Sequence, residues 1–424
     1  MYYRDMERAA LEAEREKLLV AYGKKKAEGL SLNMARGKPG REQLDLSAGL
    51  LTVLSDGEAC LADGIEARNY GELSGLPSAR KLFAEILGVE PEECFVGGNS
   101  SLQLMYDTVA KAFTHGLLHS EKPWSRLEKV RFICPVPGYD RHFKILESFG
   151  VEMLTVPMTE EGPDMDAVEA LVADPGVKGM WNVPKYANPT GVVYGEETVR
   201  RLAALRPAAP DFLLMWDQAY CIHDFAVPFR PFPDILSLAR EAGNPDMPFV
   251  FVSTSKVTFP GAGVAAMACS RDNLAYMRKL MSVQTIGFDK VNQLRHVLFL
   301  QDKEHTLAHM ERHAAILRPK FDTVLSALEK EIAPLGIAEW KRPQGGYFIS
   351  LDAMEGTAKR TVALAKEAGV TLTDAGATYP YGKDPHDRNI RIAPTVPPLA
   401  ELKSAIEILC LCLRLSAAEK LLEV

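Results

Sequence analysis

Lys256 closes the run Phe251-Val252-Ser253-Thr254-Ser255-Lys256, where an apolar strand gives way to small hydroxyl residues. A lysine so placed can attack a carbonyl as a nucleophile once its surroundings strip its proton near neutral pH. Ser253 and Ser255 could hold an anion beside it, and Pro260-Gly261-Ala262-Gly263 keeps bulk away. A solvated lysine at a strand end is the bland alternative for this stretch taken alone.

Other groups with chemistry stand just after apolar runs. Gly97-Gly98-Asn99-Ser100-Ser101 follows Cys94-Phe95-Val96 and leads into a helical pattern, so its backbone N–H groups form a candidate phosphate cradle. An ordinary glycine turn with a serine cap would read the same way. Tyr139 follows VRFICPVPG and could stack on a planar ring or pack on the next helix. In Lys185-Tyr186-Ala187-Asn188-Pro189-Thr190-Gly191 the proline and glycine define a turn from which Asn188 could donate a hydrogen bond. Asp217 ends FLLMWD, with Tyr220 three residues on. A carboxylate there needs a cationic or hydrogen-bonding partner, such as a protonated heterocycle, a helix cap or a structural salt bridge. Arg391, in Asn389-Ile390-Arg391-Ile392-Ala393, is expected to meet a carboxylate, from a substrate or from the protein.

The elements that must hold these residues read as α/β. From Cys94 to Ser270 short apolar runs alternate with helical patterns, and the runs lack polar alternation, as in a mostly parallel sheet covered on both faces. Residues from Met1 to about Leu30 read as one amphipathic helix that ends before SLNMARGKPG. Beyond Gln301 come a long helix from His305 to about Ile332, the strand-like GGYFISL, a helix from Thr357, the strand-like RNIRIAP and a last helix from Leu399. This second region is smaller and more α+β.

With 424 residues, 47% hydrophobic, 25% charged and net charge −7, the chain reads as a two-domain globular protein without general attraction for nucleic acid or anionic membrane. The amino terminus lacks the apolar core of a secretory signal, so a cytoplasmic location is expected. Seven cysteines, an odd number lying mostly in apolar runs, read as reduced core residues. No metal is expected, since His115 and His119 lack an acidic partner between them. Gly261-Ala262-Gly263-Val264-Ala265-Ala266 matches a dinucleotide fingerprint, but it precedes a strand and does not open a helix.

Taken in order, GGNSS, Tyr139, N-P-T-G, D-Q-A-Y and S-T-S-K resemble the fold type I pyridoxal-phosphate aminotransferases of classes I and II. The likeness runs from Arg36 through Arg391. RGKP, KYANPTG and TSKVTFPGAGVA are most similar to the bacterial aspartate aminotransferase branch related to the catalytic domain of MocR regulators. The resemblance implies a helical arm (1–45) contributing to the small domain, a large cofactor-binding domain (46–300) and a small α+β domain (301–424). It implies Lys256 as Schiff-base nucleophile and proton carrier, Asp217 on the pyridine nitrogen, and Asn188 and Tyr220 on the phenolic oxygen. Tyr139 would stack on the ring, and Gly98, Asn99, Ser100, Ser101, Ser253 and Ser255 would hold the phosphate.

Arg391, with Asn188, would take the substrate carboxylate, and Gly37 would close over it. Tyr70 would reach the cofactor of a second copy across a homodimer interface. One departure stands out. The family arginine eight residues past the lysine is Val264 here, and losing that contact would cost roughly 1.5–3 kcal/mol. A side-chain carboxylate would fall to Arg36, Lys38, Lys185 or Arg295, with Arg36 favoured. The implied reaction is amino transfer from L-aspartate to 2-oxoglutarate. Another amino acid, a β-lyase reaction, or a non-catalytic regulatory protein are the alternatives. Only about thirty residues precede RGKPG, which argues against a DNA-binding module.

Overall fold

A computed structural model describes residues 2–423. Its centre is an eight-stranded sheet: β1 (Cys94–Val96), β2 (Arg131–Val136), β3 (Glu152–Thr159), β4 (Gly162–Pro163), β5 (Val177–Asn182), β6 (Leu213–Asp217), β7 (Pro248–Ser253) and β8 (Ala265–Ala268). The spatial order is β1-β8-β7-β6-β5-β2-β3-β4. β7, β6, β5, β2 and β3 pair in parallel, whereas β8 runs against both β7 and β1, and β4 against β3. Two reversals leave β1 pointing the same way as β7. The carboxyl ends of β1, β2, β5, β6 and β7 therefore share one edge, where such sheets bind ligands.

The apolar runs make this sheet because alternate side chains enter two different cores. Leu214 and Trp216 of β6 face one, and Leu213 and Met215 face the other. A strand buried on both faces can carry no polar alternation, which is what the sequence shows.

A separate three-stranded antiparallel sheet is formed by β9 (Ala338–Trp340), β10 (Ile349–Ala353) and β11 (Asn389–Ile392). The expected amino-terminal helix is shorter than read. A single turn at Tyr3–Asp5 precedes α1 (Arg8–Ala27), which packs against α7 (Leu399–Leu422), the carboxy-terminal helix. Further on come α2 (Arg41–Asp45), α3 (Ser101–Thr114), α4 (Asp140–Ser148), α5 (Lys290–Leu300) and α6 (Lys303–Glu331). Leu32–Asn33 pairs in parallel with Val370–Thr371, which carries the Arg36-Gly37-Lys38 loop to the cleft. None of the helices is long and apolar enough to cross a membrane, among the described residues. The seven cysteines are free, six of them buried.

Candidate active site

Five strand ends converge on Lys256. β7 stops at Ser253, and a single 3-10 turn, Thr254–Lys256, lifts the lysine off the sheet. In β6, Asp217 pairs in register with Phe251, so its carboxylate lies one row behind that turn. The lysine Nζ stands 4.8 Å from the centre of the Tyr220 ring. Burial pulls its ammonium below the usual lysine range, against the opposing pull of Asp217. That direction favours the neutral amine a nucleophile requires.

Asp217 is 3% exposed and divided in function. Oδ2 meets His142 Nε2 at 3.0 Å, and the His142 ring stacks on Trp181 at 4.1 Å and 7°. Oδ1 is buried without a partner. A bare carboxylate oxygen at the end of a sealed strand is costly, and a protonated pyridine nitrogen would satisfy it. The groups around it suit the same ring. Tyr139 packs edge-on to His142 at 4.9 Å, and burial followed by Asp140 and Asp217 pushes its phenol up to about 12. The Tyr220 phenol is raised well above its ordinary value, by burial first and by Tyr139 and Asp217 next.

At the end of β1, Gly98 has φ +72°, a left-handed conformation that favours glycine. Ser100 caps α3 by accepting from the Gln103 N–H at 3.4 Å, and Ser101 is buried in its first turn. Gly263 passes so close to the Asn99 carbonyl that a Cβ would have to displace it. Ser253 donates to Ser255 at 3.0 Å. Val264 is buried, with its main chain bonded to Thr254, so no cation occupies that position. The glycines of the false dinucleotide fingerprint enter β8, antiparallel to β7.

Arg391, in β11, is 7% exposed. Nη1 donates to Asp140 at 2.8 Å and to Asn188 Oδ1 at 3.2 Å, Nη2 to Thr373 at 3.1 Å, and Nε is buried and unpaired. The Phe348 ring lies under the guanidinium at 4.9 Å. Gly37 sits against that same ring, where a Cβ would collide with Phe348. Arg36 and Lys38 are exposed and make no ion pair among the described residues. Arg295 is half-buried on α5 and likewise unpaired.

Lys185 is a correction. It is sealed in the core, bonded to Asp224 at 2.7 Å and to the carbonyls of Cys221 and Arg230. Its three protons are spent, so it cannot receive a substrate carboxylate.

Several residues that serve the site were not read from the sequence. His142, three residues past Tyr139 and on the first turn of α4, had that helical spacing as its signal. Asp140, Thr373 and Phe348 gave none. Tyr70 is 83% exposed, and its loop is fixed by Lys290, whose ammonium donates to the carbonyls of Asn69 at 2.6 Å and Gly71 at 3.0 Å.

The family model described as aspartate amino-transferase matches residues 6–424. The aspartate aminotransferase of Corynebacterium glutamicum is 47% identical over 394 residues, covering 93% of this chain and 91% of that relative. An aspartate transaminase crystal structure from the same organism superposes with a TM-score of 0.97 at 45% identity, covering 99% of both chains. The α-aminoadipate aminotransferase of Thermus thermophilus, complexed with N-(5′-phosphopyridoxyl)-L-leucine, shares the fold at a TM-score of 0.73 and 24% identity, over 94% of this chain and 95% of that one.

Proposed function

The chain belongs to the aspartate amino-transferase family, and from that premise we propose that it moves the amino group of L-aspartate to 2-oxoglutarate with pyridoxal 5′-phosphate as cofactor. Asp217 carries the chemical part of this reading: its unpaired Oδ1 fits a protonated ring nitrogen, within reach of a lysine whose ammonium is destabilised. The Corynebacterium glutamicum relative supports the substrate.

When bound, the pyridinium ring supplies a sink for the electrons released at the α-carbon. The chain's own residues do the rest. Asp217, braced by His142, would hold the ring nitrogen in its protonated form. Lys256 Nζ takes the α-proton and returns it, which a lowered ammonium permits near neutral pH. Asn188 and Tyr220 would hold the phenolic oxygen, and Tyr139 would cover the ring. Gly98, Asn99, Ser100 and Ser101 offer backbone and hydroxyl donors at the positive end of α3, joined by Ser253 and Ser255, in place of a cation at Val264. Arg391 clamps the α-carboxylate and Arg36 is the receptor for the second one.

The reading extends to a homodimer in which the exposed Tyr70, held out by Lys290, reaches the partner's cofactor. The arm (1–45), large domain (46–300) and small domain (301–424) are its working division, with α1 against α7 in support. RGKP, KYANPTG and TSKVTFPGAGVA support the MocR-related branch, and the unpaired cysteines support a cytoplasmic location.

Incubating the cofactor-loaded protein with L-aspartate alone should bleach its visible band and release oxaloacetate, with turnover only after 2-oxoglutarate is added. Release of pyruvate and ammonia would favour a β-lyase. An unchanged band would reopen the amino acid.

A further inference from the structure

Arg391 is already partnered by a carboxylate of its own chain. Asp140 Oδ1 accepts from Nη1 at 2.8 Å, and the two halves of the pair differ in freedom. The guanidinium is 7% exposed at the side chain and pinned by Phe348, Thr373 and Asn188. Asp140 is 28% exposed at the side chain, and among the described residues Arg391 is the side chain that holds it. Lying in the first turn of α4, it can turn to solvent without losing the favourable helix end.

The guanidinium fork is therefore only partly open to an incoming carboxylate. Nε is free and buried, Nη2 is shared with a neutral hydroxyl, and Nη1 carries the one anion. A carboxylate that engages Nη1 and Nη2 with its two oxygens competes with Asp140 for Nη1, and two anions on one fork repel each other. We propose that Asp140 is a displaceable counter-anion that sets the affinity and selectivity of Arg391 for the substrate carboxylate. This rests on the assignment of Arg391 to the substrate. Asp140 keeps the arginine neutralised, and a ligand that cannot engage the fork with two oxygens does not displace it. Phe348, Thr373 and Asn188 fix the guanidinium, so orientation does not depend on Asp140.

The test is calorimetric titration of the pyridoxal-phosphate-loaded enzyme with succinate, an unreactive dicarboxylate, in wild type and in Asp140→Asn. Removing the charge should tighten succinate about two- to fivefold, the scale of a partly exposed ion pair. The KM for L-aspartate should fall in parallel, with no rise in kcat. Asp140→Ser, also tolerated in a first helical turn, should repeat this result if the asparagine variant folds poorly. Asp140→Glu retains the charge and should not tighten binding.

Weaker or unchanged succinate binding in the neutral variants would overturn the proposal and make Asp140 a residue that orients Arg391. Tightening in the glutamate variant would overturn it too, by removing charge as the cause. A wild-type enzyme that transaminates aspartate while its neutral variants fail to tighten sinks this inference alone. One that neither transaminates nor binds succinate sinks the assigned reaction with it.

Discussion

The turn that carries Lys256 has two faces, and they treat polar atoms in opposite ways. On the cleft side, Asp217 Oδ1 and Arg391 Nε are buried and unpaired. Behind the turn a chain of buried side chains is bonded almost throughout. Tyr347 donates to the Lys256 carbonyl at 3.3 Å, with His223 Nε2 at the same distance, and Gln43 bonds both Tyr347 at 2.9 Å and His313 at 3.0 Å. With Gln43 donating to His313 Nδ1, His313 Nε2 carries the proton and faces His309 Nε2 at 3.1 Å, while the same His309 nitrogen lies 2.8 Å from the Val257 carbonyl, so it serves one of these two contacts at a time. Only His223 Nδ1 is left over. A bare oxygen and a bare guanidinium N–H on the cleft side can each be completed by a ligand, whereas a scaffold that must not move satisfies its own groups. Gly345 and Gly346 make the rear network possible, since a Cβ at either would strike Tyr186 and, at Gly345, the His223 carbonyl.

Substitutions on the two faces should separate along this line. Under the proposed reaction Lys256→Ala removes both nucleophile and proton carrier, and turnover should fall by roughly 10⁴-fold or more with little change in folding. Near-normal turnover in that variant would end the mechanism. Asp217→Asn should come next, with kcat reduced about 10²–10⁴-fold and the visible absorption of the bound cofactor altered, because the ring nitrogen loses its anionic partner. Steady-state kinetics and an absorption spectrum on the same sample read both. If kcat held while the melting temperature dropped, Asp217 would belong to the scaffold instead.

The rear face should respond in stability. Burial and the neighbouring His309 lower His313 to about 3, and burial likewise lowers His309 and His223. These histidines stay neutral in the folded chain while the unfolded chain protonates near 6.5. Their contribution is therefore complete above about pH 6.5 and is lost as the pH falls below it, by about 1.4 kcal/mol per pH unit for His313 down to about pH 3. His313→Gln should cost about 1–3 kcal/mol at pH 7 and flatten the acid limb of urea-unfolding stability by one proton. An acid limb as steep as that of wild type would mean that His313 is not held neutral.

Legibility from sequence followed the same division. The strand-end residues Lys256, Asp217, Tyr139, Asn188 and the Gly98–Ser101 cradle stand where an apolar run stops, and a parallel sheet gathers such ends on one edge. Arg391 was legible as a charge inside an apolar strand. Lys185 was misjudged because its signal, a cation beside the N-P-T-G turn, is local, whereas its partners Asp224, Cys221 and Arg230 come from a segment 36 to 45 residues further along the chain. The rear network was hidden for the same reason: only His309 and His313 share a spacing, i and i+4 on one helix, and Gln43, His223 and Tyr347 come to them from distant parts of the chain.

The sequence by itself determined the alternation of strands and helices, the doubly buried character of the sheet and the residue types at its carboxyl edge, because backbone periodicity and burial act over a few residues. Tertiary structure decided which cations are free and which are spent, that Arg391 is shared with Asp140, and that one oxygen of Asp217 stays bare. Those outcomes depend on which distant groups arrive within about 3 Å of one another, and hydrogen bonding acts only at that range.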